Sequence, residues 1–330
     1  MIRRLIAKRA IRILLWLFIT LVTFIVLLFV WTNWSGKRRW AAAKAMIERE
    51  GETLEFLKLL PATPPAESNL LAIEALRGIT ETVDNDDEKG EPGLKRKALA
   101  AMKWDAKGAK LPATNGVTLA QAADMAQWAK FLREVKFLDL PADAAAPGRD
   151  VLHALDAKFP LLKELADEAP KRTQAMFTPG LRERKLPGLL FALRIPHYTA
   201  AQSLARMLSL RARAAIEAKD SGEAARSLLA ASRISLACES EPLLIGFLVG
   251  ITAQTMVTET LWLGLRERVF AAEDLRLLQE VLSGAGTDKA LLQSMRGEMA
   301  AGLGSLEFHQ DTIAGRKQGG EDAANAFAAM

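Results

Sequence analysis

Ile13–Trp34 reads ILLWLFITLVTFIVLLFVWTNW, 22 residues without one charged side chain. Helix rises about 1.5 Å per residue, so the run reaches across a hydrocarbon core of roughly 30 Å. Arg3, Arg4, Lys8, Arg9 and Arg12 precede it, and Lys37, Arg38 and Arg39 follow, with Lys44 close behind. Cations stay on the cytoplasmic side, so five against three predicts a cytoplasmic basic segment, 1–12, and a transmembrane helix, 13–34, that contacts the lipid bilayer. Trp16, Trp31 and Trp34 stand near the two ends of the run, where indole suits the headgroup level, and Trp40 extends the outer belt. A cleaved signal has an apolar stretch of only about 7–15 residues and a small-residue cut site. Thr32-Asn33-Trp34-Ser35-Gly36-Lys37 offers no such site, so the run reads as a retained signal anchor. A buried core helix would need polar relief on one face, and within the run's interior only Thr20 and Thr23 break the apolar wall.

The net charge of +5 comes from 44 basic and 39 acidic residues. The first 34 residues hold five cations and no acid, so the remaining 296 balance at 39 of each sign. A neutral domain lacks the cationic field that draws nucleic acid, and no nucleic-acid partner is expected. Cys238 is the only cysteine, which excludes an intrachain disulfide and a cysteine-based zinc site. Ala and Leu dominate, there is one tyrosine, and no alternating strand of useful length appears. The fold class expected is all-α: an N-terminal transmembrane helix followed by a helical bundle or irregular helical-hairpin array.

A membrane-proximal helical region, 35–148, comes first. Gly36–Leu60 reads as a helix leaving the membrane, kinked at Gly51 and ended by Pro61, Pro64 and Pro65. Ser68 is placed to cap a helix running to Val83. Asp84–Gly93 is acidic but lacks the EF-hand order of ligands, so it reads as a solvated loop. Leu94–Asp105 is a short helix, and Thr118 with Gln121 forms a capping box for a helix to Leu138. A helical-hairpin domain, 149–315, follows. Asp150–Ala169 is helical and split or kinked by Pro160. Prolines recur at 170, 179, 187 and 196, with Leu186–Ile195 a helical turn or short extended piece. Helices are then expected over His197–Ala218, Glu223–Glu239, Pro242–Leu265, Ala271–Leu282 and Thr287–Gly315. The third is apolar nearly all round and too short in its uncharged part to span, so it reads as a buried core helix. Residues 316–330 form a flexible tail.

Leu208, Ala212, Ala224, Leu228 and Ala231 place small residues at the crossing of the first two of these helices. In this the pair resembles a tetratricopeptide hairpin. Arg211 departs from that pattern where an apolar residue is usual, Leu236 replaces the closing proline, and no second copy recurs at fixed spacing. A repeat array and a plain bundle both remain open. A wider resemblance rests on Trp40, Gly51-Glu52, Leu54, Leu57, Pro61, Pro64-Pro65 and Asn69, then Leu204-Ala205-Arg206, Arg211-Ala212 and Ala224-Ala225. In these the chain is similar to an uncharacterised family of single-pass membrane-anchored α-helical bacterial envelope proteins. That resemblance implies a bacterial inner-membrane location with the C-terminal domain in the periplasm, and it carries no activity.

No sequence motif demands a chemistry. His153, His197 and His309 are far apart in sequence, and no His-Glu-x-x-His, Gly-x-Ser-x-Gly or phosphate loop occurs. No cofactor and no metal site is expected. His197-Tyr198 after Pro196, together with Glu298, His309 and Asp311, are the candidates for a catalytic site assembled only by the fold. Cys238 lies in an apolar helix and reads as an inert thiol. Three functions follow as expectations: an interaction or scaffold module with a protein partner or self-association, an envelope hydrolase using those five residues, or a structural component that oligomerises through the anchor or the Trp40 helix. The first has the missing catalytic motifs on its side.

Overall fold

In the computed structural model, which describes residues 2–76, 79–80, 102, 124–142, 146–183, 193–283 and 287–313, the apolar run lies inside one helix, α1 (Ile2–Arg49). It belongs to a unit of its own, residues 1–54. From Arg12 onward α1 is long and apolar enough to cross a membrane, and the apolar side chains from Ile13 to Trp34 are exposed. Thr20 Oγ1 donates to the Trp16 carbonyl at 2.8 Å and Thr32 Oγ1 to that of Leu28 at 2.9 Å, so neither hydroxyl asks the surroundings for a partner. The helix expected to reach Leu60 stops eleven residues earlier. Gly51 adopts φ +76, a left-handed conformation that only glycine takes freely, and Glu52 N–H closes back on the Ile47 carbonyl. A separate turn, α2 (Phe56–Leu59), follows.

The second unit, residues 55–330, is all-α, and the described residues contain no strand. The helix expected from Ser68 is replaced by two 3₁₀ turns, Leu70–Ala72 and Glu74–Leu76. Asn69, not Ser68, is the cap: its Oδ1 accepts from Leu71 N–H, while the Ser68 hydroxyl donates to Pro65. Asn69 is fully buried and also clasps a segment more than a hundred residues on. Its amide donates to the Met176 carbonyl at 2.9 Å, its Oδ1 accepts from Met176 N–H at 2.9 Å, and Leu70 N–H reaches the Gln174 carbonyl at 2.8 Å. Helix α3 (Met125–Glu134) starts at Asp124, whose carboxylate accepts from Ala126 N–H. Pro160 splits the next stretch as expected, into α4 (Pro147–Lys158) and α5 (Pro160–Glu168). The loop Asp84–Gly93, the Leu94–Asp105 helix apart from Met102, the Thr118–Gln121 box, most of Leu186–Ile195 and the tail 316–330 lie outside the described residues.

The centre of the unit is α6 (Pro196–Glu217), α7 (Ser221–Ser240) and α8 (Leu244–Arg266). The first two form a hairpin. Its turn puts Lys219 at φ 58, and Asp220 caps α7 by accepting from Glu223 N–H. Ala205, Ala212, Ala215, Ala224, Ala225 and Ala231 are fully buried where α6 and α7 meet, so the backbones approach closely and Leu204, Leu208, Leu228 and Ile234 fill the space around them. Helix α8 lies on α7 through Gly246 and Gly250. A Cβ at either would meet backbone oxygen of α7, at 2.7 Å from Cys238 and 3.0 Å from Ser235. Helices α4 and α5 flank the hairpin, and α9 (Ala272–Ser283) and α10 (Thr287–Ile313) close the other side against α7 and α8.

One expectation about α8 is overturned. It is not buried all round: Gly246, Phe247, Gly250, Ala253, Val257, Thr260, Leu261 and Gly264 face inward, while Leu244, Ile245, Leu248, Trp262 and Leu265 are exposed. Those inward positions recur at three- and four-residue steps, which is the period of one helix face. The outer face is apolar without being covered.

Arg211, the residue out of pattern in the hairpin, ties three helices. Its guanidinium is fully buried and makes a two-pronged contact to Asp156 of α4, at 2.7 and 3.0 Å. It also donates to Glu223 at 2.6 Å and Ser227 at 2.7 Å on α7. Burial alone would push the Glu223 carboxyl up, but hydrogen bonds and charge from Arg211 and Arg226 outweigh it and hold it below the ordinary value. Arg211→Met would leave two carboxylates facing an apolar wall. We expect it to cost about 3–5 kcal/mol in urea denaturation at neutral pH. Because the lowered Glu223 value favours the fold only above the ordinary carboxylate pKa, the deficit should shrink as pH falls through the folded value. An unchanged midpoint would show that the network contributes nothing. A steric counterpart sits on α10. A Cβ at Gly297 would fall 1.7 Å from the Pro242 carbonyl oxygen, whereas one at Gly36 meets nothing within 4 Å. Gly297→Ala should therefore lower stability by about 1–3 kcal/mol and Gly36→Ala should not, as paired thermal melts would report.

Candidate functional site

Pro196 occupies the first turn of α6, where its missing N–H costs nothing, and so places His197 and Tyr198 at the very start of the helix. The turn between α7 and α8 brings Glu241 to them. Glu241 Oε2 lies 3.0 Å from His197 Nε2 and accepts from the Tyr198 hydroxyl at 2.5 Å. All three side chains are buried, and Phe177 stacks on the imidazole with ring centroids 4.7 Å apart. With Nε2–H donating to the carboxylate, Nδ1 carries the bare lone pair, and this atom is buried with no hydrogen-bond partner among the described residues. Gly246 lies against the phenol, since a Cβ there would stand 2.6 Å from its oxygen.

A second polar step lies one turn back on α7. Ser235 Oγ donates to the Gly250 carbonyl at 2.7 Å and lies 3.1 Å from Glu239 Oε1. Burial raises the Glu239 carboxyl above its ordinary value, with the Ser235 hydrogen bond working against it. Cys238, just before the two acids in sequence, is fully buried. Burial first, and then the charges of Glu241 and Glu239, push its thiol well up, so it is no nucleophile at neutral pH.

Of the residues expected at a site, the fold unites His197 and Tyr198 and adds Glu241. Glu298 serves a different end: its Oε1 accepts from Leu244 N–H at 3.0 Å and caps α8, three residues past Glu241. His309 is exposed and lies eleven residues further along α10, about 16 Å down its axis. The side chain of Asp311 lies outside the described residues, and the five do not gather as one constellation. Among the described residues no three His, Cys, Asp or Glu side chains are grouped to hold a metal ion. Glu241 and Glu239 were missed because nothing in the sequence links the turn at 241 to a histidine 44 positions earlier. The one legible hint was the pair of carboxylates, Glu239 and Glu241, between the apolar helices that end and begin around them.

A carboxylate, an imidazole and a phenol on one hydrogen-bonded line are groups that move protons. Here they are closed off. The cavity beside Glu241, lined by Leu60, Pro61, Met176, Leu181 and Arg182 among others, measures about 10 Å³, room for about one water. As placed, the cluster pins the start of α6 to the α7–α8 turn. Matching against protein-family models, curated proteins and solved structures returns no match for this chain.

The raised Glu239 value carries a sign. Its folded form releases the proton later than the unfolded form, so stability is full below the ordinary carboxylate pKa and falls as pH rises through the folded value. Glu239→Gln removes that loss. Thermal melts should show the variant gaining on the wild type from the ordinary carboxylate range upward, and no gain at lower pH. A gain of equal size at all pH values would mean the effect is packing rather than charge.

Proposed function

We propose that this chain is a membrane-anchored helical interaction module of the bacterial envelope, with its N-terminus cytoplasmic and its α-helical domain periplasmic. The observation that carries the reading is the uncovered apolar face of α8. Leu244, Ile245, Leu248, Trp262 and Leu265 expose between 37% and 51% of their surface on a helix whose opposite face is packed. An apolar patch of that kind on a folded domain marks a surface that another body covers. The tetratricopeptide-like α6–α7 hairpin, on which α8 lies, fits a scaffold that presents such a face. The five cations before the α1 apolar run support the stated orientation. The hydrolase reading has less behind it, because His197 is coupled to Glu241 in a sealed cluster and His309 stands apart, exposed.

A photoreactive side chain at Leu248 in the full chain, expressed in bacterial membranes, should give protein adducts on irradiation, whereas one at the exposed Glu164 of α5 should give none. Equal background at both positions would overturn the interaction reading. Release of the intact chain by carbonate washing would overturn the anchor.

A further inference from the structure

The uncovered face of α8 is built for a dry contact. From Leu244 to Thr258 it carries no charged side chain. Its polar groups are turned inward: Thr252, Thr255 and Thr258 are exposed, yet each hydroxyl donates to the carbonyl four residues back at 2.9 Å. A partner therefore needs no hydrogen bond to match them. The middle of the stripe is small, and its ends are large, with Leu244, Ile245 and Leu248 at one end and Trp262 and Leu265 at the other. Beside the first end, α10 adds exposed Leu291, Leu292, Met295 and Met299, brought there by the Glu298 cap on Leu244. These nine side chains leave on the order of 800 Å² exposed, which matches the ~800 Å² that each partner of a standard stable complex buries.

We propose that the occupant of this face is a second copy of the chain, with α8 packed antiparallel on α8 about a two-fold axis between Thr252 and Thr255. This rests on the interaction reading above and names its partner. Self-pairing fits the pattern, because an isologous contact sets each stripe against its own reverse: Leu244 and Ile245 of one copy meet Trp262 of the other across the small threonine centre. The same face fixes the direction. Glu259 lies on it one turn beyond Thr255, held 3.6 Å from Arg213. Parallel pairing would set the two Glu259 carboxylates opposite each other, whereas antiparallel pairing separates them by about 16 Å along the axis and sets each one, still paired with Arg213, beside Leu248 of the other copy. Anchoring by α1 confines copies to one plane and raises their effective concentration, so a modest interface suffices.

Two measurements on the full chain decide the matter. In detergent, sedimentation should give a dimer mass for the wild type and a monomer mass for Leu248→Glu. A monomeric wild type overturns the proposal, and so does a Leu248→Glu chain that stays dimeric, because the contact then lies elsewhere, as at α1. In membranes, with Cys238→Ala as background, a thiol crosslinker of about 10 Å should join copies carrying Thr252→Cys and leave Trp262→Cys chains single. Helices packed about 8–10 Å apart put the first pair within reach and the second about 25 Å apart along the axis. Crosslinking at both positions means a parallel pair and refutes the geometry; crosslinking at neither refutes the pairing. Photoadducts at Leu248 that contain only other proteins also overturn it, while leaving the interaction reading intact. A face at Leu248 shielded by lipid alone, with no protein adduct, overturns both.

Discussion

A guanidinium with no access to water holds the helical domain in register. Arg211 stands on α6 among buried apolar neighbours, and burying a charge there is costly unless its donors find acceptors. Asp156 supplies two, Glu223 a third and Ser227 a fourth, for four of the five N–H groups. Because these partners come from α4 and α7, Arg211 on α6 is satisfied only when three helices take one arrangement. Alanine-rich surfaces, by contrast, pack acceptably in several registers, since small side chains discriminate poorly between neighbouring positions. The arginine supplies the directionality that the alanines lack.

The helices after Pro196 were legible in the sequence because their signals are local. Asp220 before a helix, Pro at the first turn and apolar residues at three- and four-residue steps set α6, α7 and α8 to within two or three residues of the expected bounds. The earlier half was less legible where tertiary contacts override propensity. Leu70–Leu76 has the composition of a helix, yet Asn69 spends its side chain on Met176 and the chain is held in 3₁₀ turns. Gly51 was readable as a weak point, but a kink and a stop differ only in whether φ turns positive. Amphipathicity also misled at α8, because an apolar outer face and an apolar inner face look alike in sequence.

The site shows the same division. His197 and Tyr198 were visible as an uncommon pair at a helix start. Their carboxylate was not, because its position depends on how α8 lies on α7, and that depends on two glycines whose role is an absence of atoms. Glu298, expected as a member of a catalytic set, instead accepts from Leu244 N–H at the start of α8. A titratable residue in a helix offers no sequence signal that separates a cap for another helix from a member of a reactive set.

The clasp at Asn69 bears on the order in which the domain assembles. Helices α6 to α8 contact one another across short turns, so their contacts can form early, as local structure does. Joining Leu70 to Gln174 instead closes a loop of about a hundred residues, at an entropic cost of about 4 kcal/mol that no single backbone bond offsets. That closure becomes favourable only when Leu70, Leu71 and Phe177, all essentially dry, find a surface already laid down to bury them. The segment around Leu70 is thus the late guest of a nucleus formed by residues that are translated after it.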